Sequence, residues 1–456
     1  MERHQKRVAE IAQQVRKARA TGRPLEFVKD SVSHLVPNPY KNADASPRVD
    51  LRGLDRIVMI DPDARICVAE SGATFAAVVA ATLARGLMPY TVPELKTITI
   101  GGAVSGCSLE SMSYKHGGFH DNCLEYEVVT GTGEVVTCSP ERDPELFNML
   151  HGSYGTLGII TRITFRLLPA KPFVEMTYLR YHRFDSFWEA LQQHCSRGES
   201  TFIDAIAHGA DNYVLCLGAM TDHAEHHTSY DRLNIYYKST LGLDRDCLTT
   251  FDYFFRYDTE CHWLTRTFPP LENRLVRFLF GRFLLGSSNL IAWSGRLRWL
   301  LKYKRRPDVV VDVFVPARNF PSFMQWYVER FRFFPLWIVP YGVKQVYPWV
   351  NAEYAKGLGG GLMIDCAVYG RPNGDPGVDY SELLERKVTE LNGMKTLISR
   401  NHYDEETFWR IYNREAIAAI KQRVDPRNLF GGLYERFAPH HYQAAKHRSG
   451  DQPPLT

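Results

Sequence analysis

A chain of 456 residues has room for about three domain-sized units, and 45% apolar with 23% charged side chains is ordinary for a globular protein. A net charge of only +4, with no nucleic-acid-binding motif beside it, excludes nucleic acid as the expected partner. Nine cysteines without a CxxC pair and a charged N-terminus in place of a signal peptide point to a reducing cytoplasmic setting, and no run of ~20 apolar residues could span a bilayer.

"MERHQKRVAEIAQQVRKARA" reads as a charged helix, and "GRPLEFVKDSVSHLVPNPY" as a short strand closed by Pro37 and Pro39. Strands are expected at 57–60 and 66–70, then a helix from an N-cap at Thr74 to a stop at Gly86. Residues 95–121, "LKTITIGGAVSGCSLESMSYKHGGFHD", hold five glycines and six Ser/Thr. "EYEVVTGTGEVVTC" predicts a hairpin around 131–133. Asp143 and Pro144 carry N-cap and N1 chemistry for a short helix. In "IITRITFRLLPA" Ile163, Phe165 and Leu167 alternate with polar residues, as a half-buried strand requires.

From about residue 171 a second unit begins. Strands at 309–315, 336–339, 362–369 and 395–399, with helices at 321–331 and 380–392, spell β-α-β-β-α-β, the split βαβ or ferredoxin-like order. A last helix is expected at 405–423, and 441–456 reads as a disordered tail.

Glycine loses the most backbone freedom on ordering, so a cluster of glycines asks what comes close to the main chain. Amides freed of Cβ atoms can converge on an anion, with Thr97, Thr99, Ser105, Ser108 and Ser111 as hydroxyl donors. A diphosphate and a plain tight turn both suit residues 100–111 on composition alone. The motif is neither a P-loop nor a GxGxxG fingerprint, and "GLGGGL" at 357–362 precedes a strand rather than a helix.

The succession "TITIGG…EYEVVTGTGEVV…GTLGIIT" resembles the FAD-binding domain of vanillyl-alcohol-oxidase-type flavoproteins, the PCMH fold. "VPELKTITIGG", "LESMSYKHG", "PELF", "LLPAKPFV", "YDRLNIYYKS", "PLWIVP", "MIDCAVYGRP" and "ETFW" resemble the Δ24-sterol reductase group and its bacterial relatives that reduce methylene-branched acyl chains, over roughly residues 20–437. The resemblance implies an α+β fold. A PCMH-type FAD-binding domain would span 1–170, a split-βαβ substrate cap 171–400, and a segment returning to the FAD domain 401–440. It implies FAD, with NADPH as electron donor and a lipid carbon–carbon double bond as acceptor. An alcohol or 2-hydroxy-acid dehydrogenase on the same fold is the alternative.

Carried over by position, the cofactor contacts fall on Thr97, Thr99, Ile100, Gly101, Gly102, Ser105, Gly106 and Ser111, with Gly155, Gly158 and Ile160 against the adenine–ribose half. Many members carry a second loop, RGxGxS, where this chain reads "KDSVSHLV". Ser31 and Ser33 would supply donors there, and without the glycines FAD is expected to be held non-covalently despite His34. A cap strand ending beside the flavin would bring "SRNHY" to it, with Tyr403 and His402 as proton donors and Arg400 as an orienting charge. Asp365 and Tyr369, on one face of their strand, are secondary candidates. No metal site is expected.

Residues 271–306 hold nine Lys/Arg against one Glu, interleaved with Leu, Phe, Ile and Trp. That pattern suits docking on an anionic membrane surface, so a peripheral enzyme on the cytoplasmic face is expected.

Overall fold

The computed structural model describes residues 2–29, 46–267, 269–290, 306–359 and 361–437. The expectations for Ser31, Ser33 and His34, and for 291–305 of the basic segment, lie outside the described residues.

The helix Glu2–Thr21 buries one stripe, His4, Val8, Ile11, Ala12, Val15 and Ala18, at the 3–4 residue spacing of a single face. A parallel pair follows, β1 (Glu26–Val28) with β2 (Arg48–Asp50). The remaining strands of this half are β3 (Ile57–Asp61), β4 (Ile66–Glu70), β5 (Leu87–Pro89), β6 (Cys123–Val129), β7 (Val135–Cys138) and β8 (Ile159–Pro169). They form an antiparallel sheet in the order β3-β4-β8-β6-β7, with β5 also paired to β8. Ile163, Phe165 and Leu167 of β8 are buried as the alternation predicts. Thr74 and Asp143 cap their helices, accepting from the amides of Ala77 and Leu146.

The chain then enters an eight-stranded antiparallel sheet. Its strands are β9 (Phe173–Tyr181), β10 (Phe202–Gly209), β11 (Asn212–Thr221), β12 (Arg245–Thr249), β13 (Val309–Pro316), β14 (Leu336–Gly342), β15 (Leu362–Arg371) and β16 (Met394–Lys395). Their spatial order is β12-β9-β11-β10-β14-β15-β13-β16. Each half, numbered from its own first strand, runs 4-1-3-2, and the halves meet where β10 pairs with β14. The ferredoxin-like order read at 309–399 is therefore present twice, though only its second copy is legible as a pattern.

Strand alternation divides this sheet into two faces. Ile203, Ala205, Val311, Val313, Ile364 and Cys366 share one core with the helices Phe184–Arg197, Phe320–Trp326 and Tyr380–Glu390. The opposite face contributes Phe202, Ile206, Val214, Trp337, Val339 and Ala367 to the core of the N-terminal half. Asp204 and Asp365, which interrupt that second face, are buried between the two halves.

Three expected elements differ. The strand at 395–399 is only Met394–Lys395, because the Leu397 amide donates to Tyr154 Oη (2.9 Å) and Ser399 turns to φ 62°. The helix at 405–423 breaks into Glu405–Ile411 and Arg414–Val424, where Tyr412 is extended and bridges Val350 while Asn413 caps the second piece. The glycines at 101–106 open a helix, Ile100–Gly106, where a turn between strands was expected.

Candidate functional site

The helix Ile100–Gly106 begins at Thr99, whose Oγ1 accepts from the Gly102 amide at 3.2 Å. The amides of Ile100, Gly101 and Ala103 donate to the carbonyls of Ala73 (3.0 Å), Ser71 (2.8 Å) and Thr99 (2.9 Å). The expected grip by free amides around 101 is thus corrected: all four are already bonded within the protein. Gly101 is glycine because a Cβ there would stand 2.8 Å from Ser71 Cβ and 2.9 Å from Ser71 O. Ile100 is buried core, and so is Ile160, beside Gly158, whose Cβ would strike Val128 at 2.7 Å. Those positions pack against the protein's own backbone and side chains.

The face left open is made of hydroxyls and bare glycine. Gly102 is exposed, Ser105, Gly106 and Ser108 are half-buried, and a Cβ on Gly106 would meet nothing within 4 Å. The 152–158 loop lies alongside, its Tyr154 amide donating to the Ser105 carbonyl (3.1 Å). Ser153 Oγ is buried there without a hydrogen-bond partner. Gly155 has φ 75°, in the left-handed region that glycine tolerates, and a Cβ there would meet Arg436 at 3.9 Å and Phe27 at 4.0 Å. A glycine floor with an orphaned hydroxyl fits a diphosphate.

The C-terminal segment completes this loop. Arg436 donates to the Tyr154 carbonyl (2.6 Å) and Lys421 to the Thr156 carbonyl (2.6 Å). The buried Asp425 carboxylate accepts from Lys421 Nζ (2.7 Å) and from the Leu429 and Phe430 amides, both at 2.9 Å.

Both ends of the glycine stretch run into the cap. At one end Thr97 Oγ1 lies 3.2 Å from Ser287 Oγ, and the Lys96 amide donates to Asp258. At the other, Ser111 and Tyr253 share a hydroxyl hydrogen bond at 2.8 Å. Thr97 and Ser111 are therefore interface residues rather than part of the open face. Beside Ser111, the fully buried Arg256 Nη2 meets Glu110 at 2.9 Å and Asp204 at 3.2 Å. Rings of Tyr253, Tyr257 and Tyr236 surround the guanidinium at 4.2, 4.8 and 5.3 Å, and Trp337 Nε1 donates to Asp204 (2.7 Å).

A second group of titratable side chains occupies the same interface, with Glu94, His262 and Asp365 buried and Asp312 and Tyr369 half-buried. His262 Nε2 lies 2.6 Å from Glu94 Oε1, five residues before the helix cap Thr99. The His262 ring packs on Tyr369 at 4.4 Å, and Tyr369 Oη donates to Asp312 at 2.5 Å. Asp365, on the same face of β15 as Tyr369, keeps Oδ1 buried and without a partner, as does His262 at Nδ1. Burial, with Asp312 and Glu94 nearby, pushes the Asp365 carboxyl well above the usual carboxylate range. Burial lifts Asp312 to about 6 against the hydrogen bond from Tyr369. Burial also opposes the charge on Glu94, but His262 more than offsets it and the carboxyl stays low. Carboxyls of one group are therefore pushed in opposite directions.

Among the described residues no hydrogen bond or ion pair joins Arg400, His402 or Tyr403 to this group. Arg400 pairs with Asp379 (2.8 Å), and the His402 amide donates to Glu385. Tyr403 is buried among Tyr354, Leu397, Phe408 and Tyr412, and its hydroxyl has no partner. His402 and Tyr403 line a polar cavity of about 700 Å³ with Glu382, Glu385, Arg386 and Arg410, beside the helix on the outer face of the cap sheet. Asp379, Glu382 and His402 approach one another there, but guanidiniums of Arg400 (2.8 Å) and Arg306 (3.3 Å) already neutralise Asp379.

Glu94, Glu110, Asp204, Arg256, His262 and Asp312 escaped the sequence reading. A signal existed: "FIDAIA", "VVVDVF" and "MIDCAV" are apolar strands each interrupted by one Asp. In β10, β13 and β15 all three Asp residues fall on the face turned to the N-terminal half.

A family model for an FAD binding domain matches residues 5–139. The chain is 25% identical to the Delta(24)-sterol reductase of Homo sapiens over 470 residues, covering 97% of this chain and 87% of that protein. It is 22% identical to that of Arabidopsis thaliana over 427 residues, 85% of this chain and 75% of that one. Cytokinin dehydrogenase 3 of Oryza sativa subsp. japonica is 42% identical over 106 residues, 23% of this chain and 20% of that protein. With an FAD-binding domain at one end, and likeness to Delta(24)-sterol reductases over nearly its whole length, the chain is an FAD-dependent oxidoreductase of the PCMH-type fold.

Proposed function

We propose that the enzyme reduces a carbon–carbon double bond of a lipid, either a sterol side chain or a methylene-branched acyl chain, with NADPH as electron donor. The observation that carries this reading is the buried, unpartnered Asp365 carboxyl on the inner face of the cap sheet, which burial pushes well above the usual carboxylate range. When bound, FAD supplies the hydride. An isolated alkene has no carbonyl to receive negative charge, so a proton must reach one carbon as hydride reaches the other. A buried carboxyl that holds its proton more tightly than usual is the group for that task. Tyr369 and Asp312 form a hydrogen-bonded pair on the same inner face, while Glu94 fixes His262. Because the donor must be protonated, turnover is expected to fall as pH rises through the elevated Asp365 pKa and to hold below it.

Anaerobic mixing tests the assignment. NADPH should bleach the bound flavin, an unsaturated lipid should restore its colour, and the product should gain two hydrogens by mass spectrometry. Bleaching only by an alcohol or hydroxy acid would give the enzyme the opposite direction.

The cofactor floor makes a separate prediction. Gly101→Ala should lower stability by about 1–3 kcal/mol, since the Ser71 backbone must move. Gly106→Ala meets no protein atom. It should leave the melting temperature of flavin-free protein unchanged yet reduce flavin retained through gel filtration. Equal flavin retention by Gly106→Ala and the parent would remove Gly106 from the cradle.

A further inference from the structure

The helix Arg274–Leu284 is built the wrong way round for a helix facing water. Its inward row is Arg277, Gly281 and Leu285, at i, i+4 and i+8, all buried. The Arg277 guanidinium is fully covered and bonds Glu260 Oε1 (2.6 Å) and the carbonyls of Arg232 (2.7 Å) and Asn234 (3.1 Å). A Cβ on Gly281 would press on Leu285 at 3.2 Å and Arg232 at 3.4 Å, so glycine lets the helix sit close. The outward side carries Leu275, Phe278, Leu279 and Phe280, exposed by 65, 54, 54 and 53%. A helix that buries its arginine and shows its leucines and phenylalanines to solvent wastes apolar burial unless something else covers that face.

We propose that this face docks on an anionic lipid bilayer, inserting Leu275, Phe278 and Leu279 into the headgroup–acyl boundary. Charge selects the occupant. Arg274 and Arg232 are exposed beside the face, and the Arg232 guanidinium lies over the Phe278 ring at 5.1 Å. The sequence that follows adds five Lys/Arg between 296 and 305 with no acidic residue. Exposed apolar side chains with arginines beside them match a surface of acyl chains under anionic headgroups. No helix among the described residues is long and apolar enough to cross a membrane, so the contact is with the surface. The inference does not depend on the substrate, because vesicles without any alkene test it.

The full chain should sediment with phosphatidylcholine vesicles containing about one-third phosphatidylglycerol, release as salt is raised, and ignore pure phosphatidylcholine. A triple variant, Leu275→Gln, Phe278→Gln and Leu279→Gln, should lose partitioning by about ten-fold or more while keeping its flavin absorbance and melting temperature. Should that variant fail to fold, hydrogen–deuterium exchange on the parent decides, with protection at 274–284 expected when anionic vesicles are added. Absence of vesicle binding, equal binding by the variant, equal binding to pure phosphatidylcholine, or unchanged exchange at 274–284 would each overturn the proposal. So would a lipid-free dimer of the parent that the triple variant dissolves, since a second copy would then be what covers this face.

Discussion

Asp365→Asn is expected to slow alkene reduction by roughly 10²–10⁴-fold, the usual contribution of a positioned acid. Asn has the same shape and no proton to give. Oδ1 of Asp365 bonds nothing in the protein, so the substitution removes no internal contact at that atom. Thermal stability and flavin content should therefore match the parent, and NADPH should bleach the flavin at an unaltered rate. The loss should sit in reoxidation by the alkene, read in a stopped-flow spectrophotometer. The fall of rate at high pH should also vanish, because the group whose ionisation caused it is gone. A variant that keeps most of its reoxidation rate would move the proton donor elsewhere. Tyr403→Phe, at the outer cavity, is the comparison to run beside it.

Arg256→Leu is expected to cost about 3–5 kcal/mol, the range seen when one member of a buried ion pair is removed. Arg256 is the only guanidinium recorded against Glu110 and Asp204 among the described residues, and all three are buried. Glu110 comes from the FAD-binding half and Asp204 from the cap, so the loss falls on the joint between them. Burial already pushes Glu110 up to about 7 with the arginine present; without it, Glu110 takes a proton rather than remain charged. Chemical denaturation should show a lower midpoint. Adding Glu110→Gln and Asp204→Asn should recover part of the difference, because no uncompensated carboxylate then remains. Full stability in Arg256→Leu alone would mean the cluster is solvated in solution.

Some of the molecule could be read without coordinates, and the reason is local. Strand alternation in 159–167, the caps at Thr74 and Asp143, the hairpin at 123–138 and the second ferredoxin-like unit each depend on neighbours within a few residues. The first ferredoxin-like unit escaped because its last link is not a regular helix. Between β11 and β12 the described residues hold only the short helix Tyr236–Ser239, with no long period to detect. The break at Tyr412 escaped for a different reason: its cause is a pairing with Val350, sixty-two positions away.

The site divides in the same way. Glycine at 101 and 106 is plain in the order of residues, and the N-terminal FAD-binding half is implied by the motifs that resemble flavoproteins. Which amides are free is not legible there, because Ser71 and Ala73 take the amides of Gly101 and Ile100 from another part of the fold. Likewise, each isolated Asp in β10, β13 and β15 is visible in the sequence. Only the eight-stranded sheet decides that all three face the FAD-binding half, and that Asp365 is left without a partner while Asp204 meets Arg256. Burial and partnership are properties of what packs opposite a residue, and that is set by the tertiary structure.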